Sequence, residues 1–158
     1  MRYLLIIVLC LSTLLLCGCG LLVMWIAADN AHWTKCSVQD SETNRLEVMQ
    51  VARLIADRYG FQDRTDEKRA RDEQSDFSLQ ASGYTIIAHY YAAGSDKPSS
   101  DIDLDVLAFK GEVKASLYQR KWGKATKKYA EIRDRFISEF KGHFGAEVDV
   151  RIADYKIH

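Results

Sequence analysis

Hydrophobic and polar positions change rhythm along the chain. Residues 3–28 are an almost continuous apolar run, broken only by Ser12 and Thr13 apart from cysteines and glycines. Residues 29–40 mix both kinds without an obvious period and read as a connector. Beyond them, Asp40 or Ser41 is placed to cap a helix. Its apolar positions Val48, Met49, Ala52, Ile55, Ala56 and Tyr59 recur at helical spacing, and Gly60 is placed to end it. Residues 61–76 then carry dense charge of both signs and no apolar stripe, which predicts a weak helical extension or a solvated loop.

Next the period becomes two. A two-residue turn at Ser82 and Gly83 would set Leu79 opposite Ile86 and Phe77 opposite Ala88, so that Phe77, Leu79, Ala81, Tyr84, Ile86 and Ala88 share a face. Residues 94–100, with the only proline, Pro98, form a loop by their turn chemistry. A second turn at Lys110 and Gly111 sets Val106 against Ala115, Leu104 against Leu117 and Ala108 against Val113, again with one apolar face. Asp101 then falls opposite Arg120. A type I′ turn here requires Lys110 at positive φ.

Helical spacing returns over 124–141, where Ala125, Tyr129, Ile132, Phe136 and Phe140 are three or four apart. Val148, Val150 and Ile152 alternate with Asp149 and Arg151 in a short last strand. Helix, four strands, helix and strand predict an α+β fold. The expected form is a two-layer sandwich, with an antiparallel sheet of about five strands and two helices on one face. The expected division is 1–28 as signal peptide or membrane anchor, 29–40 as connector and 41–158 as the globular domain.

The apolar run would be roughly 39 Å long as a helix, enough to span a bilayer. It also has the layout of a cleavable signal, with Arg2 before an apolar stretch that ends in Leu16, Cys17, Gly18 and Cys19. These four residues resemble the bacterial lipobox, and the resemblance implies that Cys19 is the lipidated cysteine. An uncleaved N-terminal membrane helix is the other reading. Either way, Arg2 precedes the run and Asp29 is the first charge after it, which predicts a domain facing the periplasm or cell exterior. The expected location is therefore the cell membrane or outer membrane.

Charge adds an exclusion. With 22 basic and 22 acidic side chains among 158 residues, the chain exerts no overall pull on nucleic acid. Cys10, Cys17 and Cys19 lie in the apolar run and leave Cys36 alone in the domain, so no disulfide forms within it.

Four patterns carry candidate chemistry. Asp101, Asp103 and Asp105 line one strand face about 7 Å apart, as a calcium site or as charges guarding a strand. His32, His89, His143 and His158 have no metal-binding spacing, and no metal or cofactor is expected. His89 lies on the face opposite the predicted core and is the one candidate general base. That same outer face carries Ile87, Tyr91, Leu107, Phe109 and Tyr118, more apolar surface than a solvated sheet face needs. Finally, Arg120, Lys121, Trp122, Lys124, Lys127 and Lys128 surround a helix start, where cations oppose the helix dipole and suit an anion.

These patterns predict a membrane-tethered, non-catalytic envelope domain. It would bind an envelope protein or anionic lipid through Tyr91, Phe109, Tyr118 and the basic cluster Arg120, Lys121, Trp122, Lys124, Lys127 and Lys128. An inhibitor or immunity-like protein that blocks an envelope-acting enzyme is one alternative. A hydrolase using His89, which requires a cleft joining it to an acid or nucleophile, is the other.

Overall fold

In a computed structural model, residues 31–76, 78–93, 101–120 and 125–153 are described. The apolar run with Cys19, the loop expected at 94–100 and residues 121–124 lie outside them.

The first described element is a strand, β1 (Ala31–Gln39), where a connector was expected. Its inward positions are His32, Thr34, Cys36 and Val38, all buried. Two of these four are polar, so alternation of burial in β1 is not alternation of hydrophobicity. Thr34 resolves its polarity locally, since its hydroxyl lies 3.3 Å from the Tyr129 hydroxyl.

Helix α1 (Glu42–Tyr59) starts and stops as its sequence predicts. The Ser41 side chain accepts the Asn44 N–H, and Gly60 closes the helix in the left-handed region at φ 70°. The charged stretch that follows becomes a two-residue strand, β2 (Gln62–Asp63), and a helix, α2 (Thr65–Glu73).

The expected hairpin at Ser82 and Gly83 does not form. Residues 78–84 instead wind in turns around the Asp72 carboxylate. It accepts the Leu79 N–H at 2.6 Å, the Gln80 N–H at 3.1 Å and the Ser78 hydroxyl at 2.8 Å. Those bonds satisfy locally the backbone groups that a strand would have paired across a ladder. Tyr84, expected on the core face, stacks instead on Phe109 with ring centroids 3.9 Å apart.

Strand β3 (Thr85–Ala92) therefore takes β2 and β4 (Ile102–Phe109) as neighbours. The hairpin of β4 with β5 (Glu112–Arg120) has the expected register: Val106 faces Ala115, Leu104 faces Leu117 and Ala108 faces Val113. Lys110 and Gly111 turn it at φ 49° and 79°.

Helix α3 (Lys127–Phe144) begins three residues later than the spacing suggests, because Thr126 serves as its cap and accepts the Tyr129 N–H. Strand β6 (Asp149–Ala153) then pairs with β1. The described strands form one antiparallel sheet in the order β2-β3-β4-β5-β1-β6.

The core lies between the inner sheet face and α1 with α3. Ala88, Tyr90, Leu104, Val106, Ala115 and Leu117 meet Ile55 of α1 and Tyr129, Ile132, Phe136 and Phe140 of α3. Ile86, expected on this face, is buried opposite Leu107 instead, because the β3–β4 register shifts by a bulge between Ile86 and Ala88. Burying each large side chain contributes about 1.5–3 kcal/mol. This is the expected α+β sandwich, with six strands and a third helix. That third helix, α2, lies across the outer sheet face.

Candidate functional site

β3 and β4 place His89 directly opposite Asp105 and Tyr91 directly opposite Asp103. With strand alternation, His89, Tyr91, Asp103 and Asp105 all leave the sheet on its outer side, as does Tyr118 of β5. Helix α2 runs above them. Between helix and sheet lies an open groove of about 660 Å³, walled by Arg64, Lys68, Arg71 and Asp72 and floored by His89, Tyr91, Asp101, Asp103, Asp105 and Tyr118.

The densest contacts centre on Asp105. Its Oδ1 lies 2.7 Å from His89 Nδ1, and Lys68 Nζ donates to both carboxylate oxygens at 2.7 Å. Burial opposes the charge on Asp105, but the hydrogen bond with His89 and the Lys68 ammonium outweigh it and hold the carboxyl below the usual range. His89 Nε2 faces the Asp103 carboxylate at 3.7 Å. The imidazole is thus clasped between two β4 carboxylates and is almost wholly buried.

At the open end, the Tyr91 hydroxyl donates to Asp101 at 2.7 Å, and this bond raises the phenol's pKa. The Arg64 guanidinium stands 4.3 Å above the Tyr91 ring. Backbone bonds tie the start of α2 to the same place: the Arg64 N–H donates to the His89 carbonyl, and the His89 N–H donates to Thr65 Oγ1.

A second concavity of about 710 Å³ lies at the β3 edge, between α1 and α2. Arg69, Asp63 and Thr65 in its lining are committed to the fold. Arg69 donates to the Ile86 and Ile87 carbonyls, where the β3–β4 register shifts by a bulge, and Asp63 accepts the Thr65 N–H and hydroxyl. Arg69 thereby occupies carbonyls along the part of β3 that β2 leaves unpaired.

The structure gathers some of the expected site residues and separates others. Tyr91 and Tyr118 line one groove. Phe109 lies elsewhere on the same face, stacked with Tyr84 and approached by the ammonium groups of Lys110 and Lys114 at 4.9 and 5.5 Å. Lys127 and Lys128 are exposed in the first turn of α3, which has no acidic residue. They belong to the opposite layer, because Thr126 bonds the buried Gln119 side chain on the inner face of β5. Arg120 pairs with Ala31 through the β1–β5 ladder. Lys121, Trp122, Lys124 and Cys19 lie outside the described residues.

The sequence reading missed Lys68, Arg64 and Arg71, which supply the helical wall. Their spacing of four and three puts them on one side of α2, a signal visible in the sequence once the stretch is taken as a helix. Among the described residues, no group of three His, Cys, Asp or Glu side chains is arranged to hold a metal ion. Among the same residues, no helix is long and apolar enough to cross a membrane. The chain matches no known protein family, no curated protein and no solved structure.

Proposed function

We propose that the chain is a membrane-tethered envelope protein whose α+β domain is non-catalytic and binds a protein partner in the groove between α2 and the outer sheet face. The carrying observation is the convergence of Tyr91, Tyr118, Arg64 and three aspartates on one open groove, with the core helices all on the other side of the sheet. Tyrosine and arginine suit recognition surfaces, since each joins a flat contact area to a directional polar end. The apolar run and its lipobox-like close support the tether.

The His89–Asp105 pair favours the hydrolase alternative on distance alone. Two contacts weigh for a structural role instead. The nitrogen a general base would use, Nε2, faces Asp103, and both Asp105 oxygens hold Lys68. Among the described residues, no hydroxyl or thiol bonds the His89 ring.

A photo-crosslinking side chain placed at Tyr118 in the membrane-bound protein tests the reading. A discrete protein adduct at Tyr118, and none with the same side chain at Leu54 on the far layer, is the expected result. Equal adducts at both positions, or none at Tyr118, overturn it.

A further inference from the structure

Helix α2 is an unusual part of this fold in what it lacks. Its nine residues include one apolar side chain, Ala70, and that one is exposed; the single buried residue is Asp72. By contrast, α1 buries Val48, Val51, Ala52, Ile55 and Ala56, and α3 buries five large side chains. Helices are ordinarily held by an apolar face, and α2 has none to offer. Its attachment is polar throughout: Lys68 on Asp105, Arg64 on Tyr91, Arg69 on the bulge carbonyls and Asp72 on residues 78–80.

The surface beneath it is acidic at one end. Toward Tyr91 and Tyr118 the outer face carries Asp101, Asp103 and Asp105, whereas toward Phe109 the charges are mixed, with Lys110 beside Lys114 and its ion-pair partner Glu112. Lys68, with Arg64 one turn before it and Arg71 one turn after it on the same side, is matched to the acidic half. This is how a cationic segment lies on an acidic and aromatic strip.

We infer that α2 occupies, within the chain itself, a docking strip for a cationic segment of another protein, and that it works as a flap which such a segment displaces. The inference rests on the groove being the partner site, and deepens that reading by naming the partner's chemistry. Thr65 is the hinge, because the backbone bonds to His89 keep the start of the helix in place while Lys68 and Arg71 swing out. Polar latches of this kind open at much lower free energy than a packed core and weaken as salt screens them.

The test uses the full chain in detergent micelles. Deuterium exchange is followed at α2 and α1 amides from about 0.05 M to about 0.5 M salt, which shortens the screening length severalfold. The α2 amides should exchange at least about tenfold faster than those of α1, and several-fold faster again at high salt, with α1 unchanged. Equal protection of the two helices, or no salt effect on α2, overturns the flap without any substitution being made.

Fluorescent octalysine then probes the strip, with octaglutamate as the control. Lys68→Met removes the competing ammonium from Asp105 and should tighten octalysine binding about threefold to fivefold; Lys68→Arg should restore wild-type binding, and Asp103→Asn with Asp105→Asn should weaken it. Unchanged or weaker binding by Lys68→Met, with α1 still protected, overturns the inference. Adducts at Tyr118 with no flap opening sink this inference alone, whereas flap opening and octalysine binding without adducts sink the protein-partner reading.

Discussion

His89 and Asp105 face each other across the β3–β4 ladder with Nδ1 and Oδ1 2.7 Å apart, and Lys68 reaches the same carboxylate from α2. One carboxylate thereby joins two strands and a helix.

The Asp105 carboxyl is held below the ordinary aspartate value of 3.8, so its contribution to stability is complete above that value and is lost as pH falls through the lowered one. Urea midpoints against pH check this. Asp105→Asn should be about 2–4 kcal/mol less stable than wild type at neutral pH, because Lys68 loses its carboxylate partner, and the gap should narrow as pH falls below the ordinary aspartate value and through the lowered one. A gap independent of pH would mean that the carboxylate's charge is not what matters.

Leu104 and Asp103 are neighbours on β4 with opposite exposures: Leu104 is 0% exposed and the Asp103 side chain 30%. Leu104→Asp should therefore cost about 3–5 kcal/mol, enough to leave much of the protein unfolded, while Asp103→Asn should cost under about 1 kcal/mol. Thermal or urea unfolding of the two variants side by side settles the register.

Much of this architecture can be read from the chain because local signals and packing agree there. Ser41 and Gly60 bound α1, the Lys110–Gly111 turn carries its register, and the apolar spacing of Tyr129, Ile132, Phe136 and Phe140 marks α3. Reading fails where polar residues take structural work. β1 hides because His32 and Thr34 face inward, and α2 hides because it docks by charge. The largest error followed from Asp72: without its bonds, residues 77–81 look like the natural partner of β3, and that register sets His89 against Asp76 and not Asp105. Pairing β3 with β4 instead would have put His89 on the face that carries Asp103 and Asp105, though the connection of 93–101 does not set which of the two it meets.

Cys36 is buried at 1% exposure, and burial pushes its thiol up to about 12. At neutral pH it should resist alkylation in the folded protein and react only after unfolding. Peptide mass mapping after iodoacetamide treatment, with and without urea, checks this. Modification of Cys36 in the native protein at the rate of a free thiol would contradict the buried β1 strand.

Cys19→Ala should abolish incorporation of labelled fatty acid and leave an uncleaved precursor if Cys19 is lipidated, whereas Cys17→Ala should leave processing intact. Intact-protein mass spectrometry separates the outcomes. An unchanged, unacylated full-length mass with retained membrane association selects the uncleaved N-terminal helix.

The central claim is that partner binding belongs to the groove holding Tyr91 and Tyr118, and to no other part of the surface. The direct measurement is affinity for the partner crosslinked at Tyr118, titrated against wild type, Tyr91→Ala with Tyr118→Ala, Phe109→Ser, and Lys127→Glu with Lys128→Glu. The groove variant should lose at least about tenfold in affinity, the scale of one buried aromatic anchor, with the other two within about twofold of wild type. Wild-type affinity in the groove variant, or an equal loss when Lys127 and Lys128 are reversed, would contradict the account.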